Sequence, residues 1–135
     1  MTQTEGMKRI APGAEVFFGE SVVQYLADLS DTAFYEGADA EGLLLGKVMR
    51  DDGGDYAVIS GATQDMARAT DAIGCFFSTE KGCEMAQDRV RRVNSLFGYS
   101  KVYVMAVDQS EGAIATYVVE NGAARKAPSV MIENF

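Results

Sequence analysis

Polar and apolar positions along this chain fall into short blocks whose periods separate helices from strands. Ala14–Phe18 (AEVFF) reads as a short strand. A helix is predicted from Ser21, because Val22, Tyr25, Leu26, Leu29 and Ala33 recur at helical spacing and draw one apolar stripe. Ser21 and Gln24 form an S-x-x-Q capping box at its start, and the segment GADAEG breaks it near Gly37. Leu43, Leu44, Leu45 and Val48 make a nearly continuous apolar run, as in a strand covered on both faces. Asp51-Asp-Gly-Gly54 is a turn signal and Tyr56–Ser60 returns, so residues 42–60 read as a β-hairpin.

Gly61–Thr70 is polar and small, a loop or one helical turn. Ala72–Phe77 (AIGCFF) reads as a buried strand. A second helix is predicted to be capped by Ser78 or Thr79, with Cys83, Ala86, Val90, Val93 and Phe97 as its buried stripe. Glu80 and Glu84 would lie near its start, Arg89, Arg91 and Arg92 towards its end, and Gly98 would terminate it. Val102–Val107 reads as a central strand, Ile114–Val119 as its return after a turn, and Asn121-Gly122 as a further turn. Val130–Ile132, just after Pro128, reads as an edge strand. The expected architecture is mixed α/β: a largely antiparallel sheet flanked by two main helices, in one domain over 14–135, with a loose polar stretch over 1–13.

Composition narrows the chemistry. The chain has 135 residues, which suits one domain with its own core. A net charge of -8 disfavours a polyanionic partner, so nucleic acid is not expected. There is no histidine, which removes imidazole acid–base chemistry, the usual zinc triads and the Ser-His and Cys-His dyads. Two cysteines, Cys75 and Cys83, are too few for a disulfide framework and too far apart for a zinc knuckle. No signal peptide, lipidation signal or membrane-spanning run is visible, so a cytoplasmic protein of bacterial style is expected.

The order of elements and three motifs resemble the MPN/JAMM metalloprotease-like domain family. Asp39-Ala-Glu-Gly-Leu-Leu-Leu-Gly46 is similar to that family's E-x-x-G-L-L-L-G. Ala72-Ile-Gly-Cys-Phe-Phe-Ser-Thr79 resembles its G-W-Y-H-S-H strand, and Val104–Gly112 with Glu120-Asn-Gly122 resembles its closing hairpin. The resemblance spans about residues 14–125 and implies the family's cytidine-deaminase-like sandwich. It also implies a degenerate site. Asp39 stands at the family's general-base Glu, with Glu41 nearby on the same strand parity. Phe77 and Thr79 stand at the two metal-binding His, Ser78 is kept between them, and Asp88 is the nearest match to the metal-binding Asp, two residues short. Phe77 has no lone pair and Thr79 only a weak hydroxyl donor, so no catalytic metal and no cofactor are expected. The implied role is a catalytically inactive protein-interaction or scaffold module, as a homodimer or one arm of a hetero-assembly.

Other features have plainer readings. Cys75 lacks a base and reads as a small buried hydrophobe rather than a nucleophile. Asp51, Asp52 and Asp55 lack EF-hand spacing and read as a hairpin turn. Arg89, Arg91 and Arg92 read as a solvated helix end. Phe17, Phe18, Tyr103 and Tyr117 read as core or sheet surface, not a stacking platform. Two further functions stay open. A roadblock- or profilin-like binding module requires 62–97 to be mainly one helix, without a strand at Ala72–Phe77. An enzyme using carboxylates alone would gather Asp39, Glu41 and Asp88 around Mg²⁺ or Mn²⁺.

Overall fold

A computed structural model describes residues 11–98 and 100–133. Their order is β1 (Val16–Gly19), α1 (Glu20–Glu36), β2 (Ala40–Asp51), β3 (Gly54–Thr63), a 3₁₀ turn (Met66–Asp71), β4 (Ala72–Thr79), α2 (Gln87–Phe97), β5 (Val102–Asp108), β6 (Ile114–Glu120), β7 (Ala123–Lys126) and β8 (Ser129–Ile132). The strands form an eight-stranded sheet ordered β7-β6-β5-β4-β2-β3-β1-β8. Pairing is antiparallel for β2–β3, β2–β4, β5–β6 and β6–β7, and parallel for β4–β5, β1–β3 and β1–β8. The class is therefore α/β with a mixed sheet.

Alternation along each strand splits the apolar residues into two layers. Val22 and Leu26 of α1 pack with Val16, Leu44, Ile59, Phe76 and Met105. Val90 and Val93 of α2 pack with Cys75, Phe77, Val102, Val104 and Ala106. Cys75 and Phe77 flank Phe76 in β4, so the two helices cover opposite faces of the sheet. Each of these fully buried side chains contributes roughly 1.5–3 kcal/mol of transfer free energy. Gly74 fixes the β4–β5 spacing, because a Cβ there would overlap the carbonyl oxygen of Tyr103.

The sheet also curls. The link from β7 to β8 crosses between its two edges. Ala127 N–H donates to the Thr116 carbonyl at 2.9 Å, and Glu15 N–H donates to the Pro128 carbonyl at 2.8 Å. Arg125 clamps Glu15 with two hydrogen bonds, at 2.6 and 2.8 Å.

Several expected boundaries are corrected. No capping box forms at Ser21. Strand β1 runs directly into α1, Gly19 is the N-cap and makes no side-chain cap bond, and Gln24 bonds Asp28 at 2.9 Å instead. Ser78 and Thr79 do not cap a helix. Parallel pairing to β5 (Ser78 with Val107, Thr79 with Asp108) extends β4 through both, and α2 starts only at Gln87 with Ala86 as N-cap. Cys83 packs against the α2 layer from the loop, which is why the spacing imitated a longer helix. The arginines consequently lie in the first half of α2 and none is in its last turn, so the macrodipole argument does not hold. β7 was not expected, because Ala-Ala-Arg-Lys carries no strand pattern. The hairpin, the central β5 and the edge strand β8 are found as expected, β3 running on to Thr63. Of the stretch expected to be loose, residues 1–10 lie outside those described, and Ala14 N–H closes a turn on the Ala11 carbonyl at 3.0 Å.

Candidate functional site

The chain leaves α1 through a tight reversal. Gly37 is left-handed (φ 69°) as the C′ residue. Ala38 N–H donates to the Ala33 carbonyl at 2.9 Å and Gly37 N–H to the Phe34 carbonyl at 3.1 Å, a Schellman arrangement. Buried Gln109 holds the exit: its Nε2 donates to the Ala38 carbonyl at 3.0 Å and its backbone N–H to the Thr79 carbonyl at 2.8 Å. Asp39 and the first residues of β2 are thereby set beside the last residues of β4. In that ladder Ala40 pairs with Ser78 and Glu41 with Phe77.

The start of α2 closes the third side. A pocket of about 340 Å³ lies between Asp39, just before β2, Glu41 and Phe77 of the sheet, and Asp88, Arg89 and Arg92 of α2. Arg89 and Arg92 are three residues apart and share one helix face. Arg92 grips Glu41 in a fork, with Nη2–Oε1 at 2.5 Å and Nε–Oε1 at 3.1 Å. This hydrogen bond and the carboxylate charge push the Arg92 guanidinium pKa up. The Arg89 guanidinium lies over the Phe77 ring, 4.9 Å from its centroid. Phe77 itself is buried and belongs to the α2 layer.

Four expected site residues, Asp39, Glu41, Phe77 and Asp88, are brought together. Ser78 and Thr79 are not among the pocket residues. Ser78 points to the α1 face, where its hydroxyl meets that of Ser30 at 2.7 Å in a buried pair. Thr79 is buried and its Oγ1 accepts the Lys81 N–H at 3.2 Å. Cys75 lies one layer in; burial first, then the Glu41 charge, pushes its thiol up to about 12, against the pull of Arg92. That leaves it protonated and unreactive near neutral pH.

The donor set does not fit a catalytic zinc. Phe77 offers no lone pair, Thr79 is turned to a backbone N–H, and the Glu41 oxygens accept from Arg92. Among the described residues no three Asp, Glu or Cys side chains converge as a metal cluster. The carboxylate-only enzyme therefore lacks its convergent triad, although its three residues line one pocket. Nor do residues 62–97 form one long helix, since β4 occupies Ala72–Thr79.

No protein-family model matches the chain, and no curated protein does. Among solved structures, it is similar to the solution structure of protein DSY2949 from Desulfitobacterium hafniense, a Northeast Structural Genomics Consortium target. The TM-score is 0.66 at 11% identity, over 89% of this chain and 94% of that one. The two share a fold. At that identity the likeness says nothing of the site. No described helix is long and apolar enough to cross a membrane.

Sequence reasoning named Arg89 and Arg92 but placed them at a solvated helix end. Their partners lie across the fold, and only their shared helix face signalled a common direction. The exposed pair Phe34 and Tyr35 was missed, although both fall outside the stripe of Val22, Leu26, Leu29 and Ala33.

Proposed function

We propose that this chain is a catalytically inactive MPN/JAMM-like domain, a protein-interaction or scaffold module that works without catalytic zinc. The reading starts from the order strand, helix, hairpin, strand, helix, hairpin and from the three motifs quoted above. The observation that carries it is the pair of positions that would supply imidazoles: Phe77 is a core phenylalanine with no lone pair, and Thr79 is buried with its hydroxyl accepting the Lys81 N–H. Glu41 is engaged by Arg92, and Asp39, at the general-base position of the resemblance, lines the pocket with no metal-ligand cluster around it among the described residues. What remains is a walled depression suited to holding a group and not to cleaving a bond.

The roadblock- or profilin-like alternative lacks support at its own discriminating segment, because a strand fills Ala72–Thr79. The test is metal analysis of the purified protein together with peptide and isopeptide hydrolysis assays. The expected result is no stoichiometric zinc and no turnover. Stoichiometric zinc, or cleavage abolished by Asp39→Asn, overturns the proposal.

A further inference from the structure

The two edges of the sheet are guarded differently. Edge strand β7 reads Ala-Ala-Arg-Lys, and charged side chains on so short a strand discourage further pairing. Edge strand β8 reads Ser-Val-Met-Ile, with no charge and no proline. Pro128 stands just before it and Glu133 just after. An uncharged, apolar edge is a template for another strand.

The backbone phase of β8 identifies which of its groups face outward. β8 pairs with β1 in parallel, and the Pro128 carbonyl accepts the Val16 N–H at 3.2 Å. Alternate residues of a strand turn their N–H and C=O to the same side. Val130 and Ile132 therefore turn theirs to β1, and Ser129 and Met131 turn theirs outward. By this point the chain has left β6. Among the described residues Ala127 is the last one bonded to that strand, its N–H to the Thr116 carbonyl at 2.9 Å and its carbonyl from the Thr116 hydroxyl at 2.6 Å. Among the described residues nothing pairs with the outer edge of β8. Ser129 is exposed and Met131 is 44% exposed, so this edge is open to solvent. Val130 and Ile132 pack on the layer of Phe17 and Tyr56, and Met131 lies on the opposite face beside Phe18.

We propose that β8 pairs antiparallel with β8 of a second copy of this chain, joining the two sheets edge to edge about a two-fold axis at Val130. Self-complementarity selects this occupant. With Val130 opposite itself, Ser129 falls opposite Met131 of the second copy, and Met131 opposite its Ser129. These are the residues whose groups face outward, so each N–H meets a C=O and none is left over. Ile132 falls opposite Pro128, whose missing N–H would have faced β1, so the proline costs the new pairing nothing. Pro128, Val130 and Ile132 of both copies then form one apolar strip, continuous with the Phe17–Tyr56 layer. The net charge of -8 does not act at this edge. The nearest acids in sequence, the two Glu133, fall opposite Ala127 and lie about 20 Å apart along the strands. That exceeds the Debye length of about 8 Å at physiological salt. A parallel arrangement would instead set the two Glu133 side by side. Four residues from each copy make a small interface, so the dimer is weak and concentration-dependent. As the partner of a scaffold module, the second copy deepens the reading above and rests on it.

The test is sedimentation of the full chain over a series of concentrations at physiological salt. A reversible monomer–dimer equilibrium is expected. Met131→Pro removes an outward donor from each copy, and Ser129→Lys adds the kind of charge that guards β7. Each should weaken association at least about tenfold. Both alter exposed side chains, and a cooperative urea transition in dilute solution checks their folding. The register is read separately by mild oxidation in a Cys83→Ser background. Val130→Cys should link two chains faster than Ala123→Cys on β7, because residues facing each other at the axis lie within disulfide reach. A monomer at every concentration, a dimer indifferent to both edge variants, or faster linking through Ala123→Cys overturns the inference. Zinc content and turnover report on the scaffold reading independently, so the two failures are told apart.

Discussion

Glu41 and Phe77 face each other as direct partners on adjacent antiparallel strands, and α2 sets one arginine on each: Arg92 on the carboxylate, Arg89 on the ring. Acid and ring are both occupied by the same helix face, so the pocket floor is held by packing and ion pairing together.

Phe77 should behave as a core residue. Phe77→Ala should cost about 3–5 kcal/mol, because it empties a buried ring position beneath α2. Arg92→Ala should cost less than about 1 kcal/mol, since the pair with Glu41 is half-exposed and screened. Urea unfolding of the two variants measures both. Near-equal costs would mean that the ion pair and not the ring holds α2.

Ser78 should act through Ser30 and not through the pocket. Ser78→Ala should destabilise by about 1–3 kcal/mol, leaving the Ser30 hydroxyl buried without its partner. The double variant Ser30→Ala/Ser78→Ala should cost less than the sum of the two single changes. Strict additivity in chemical denaturation would show that the hydroxyls are uncoupled.

Alkaline stability should be limited by two buried acids. Burial pushes the Cys75 thiol from 9.0 to about 12 and, with nearby carboxylates adding, the Tyr103 phenol from 10.0 to about 12. Each holds its proton more tightly folded than unfolded, so their contribution is complete below the unfolded values and declines as pH rises towards 12. The urea midpoint should fall above pH 9.0, and less steeply in Cys75→Ala/Tyr103→Phe. At neutral pH a thiol reagent should reach half-buried Cys83 before Cys75.

Tyr103 offers a separate check on the core. Among the described residues its buried hydroxyl has no hydrogen-bond partner. Tyr103→Phe should therefore be neutral or stabilising, by up to about 1–3 kcal/mol. A large loss in the thermal midpoint would mean that the hydroxyl has a partner after all.

Much of the fold was legible because local signals were complete within a few residues. Asp51-Asp-Gly-Gly54 between two apolar runs defined the β2–β3 hairpin, and Gly98 defined the end of α2. Where the sequence misled, tertiary pairing outweighed a local motif. Ser21 is already inside a helix that continues from β1, and Ser78 and Thr79 are drawn into β4 by β5. The site divides in the same way. Asp39, Glu41 and Phe77 converge because the β2–β4 register joins two short motifs. The Arg92–Glu41 bond spans 51 residues and has no local signature.

If the strand ends hold a group without metal chemistry, the zinc content of the full chain, after equilibration with zinc and removal of the free ion, is the decisive quantity. Far less than one zinc per chain is expected, unchanged in Asp39→Asn and Asp88→Asn. One zinc per chain, lost in either variant, would overturn the metal-free reading.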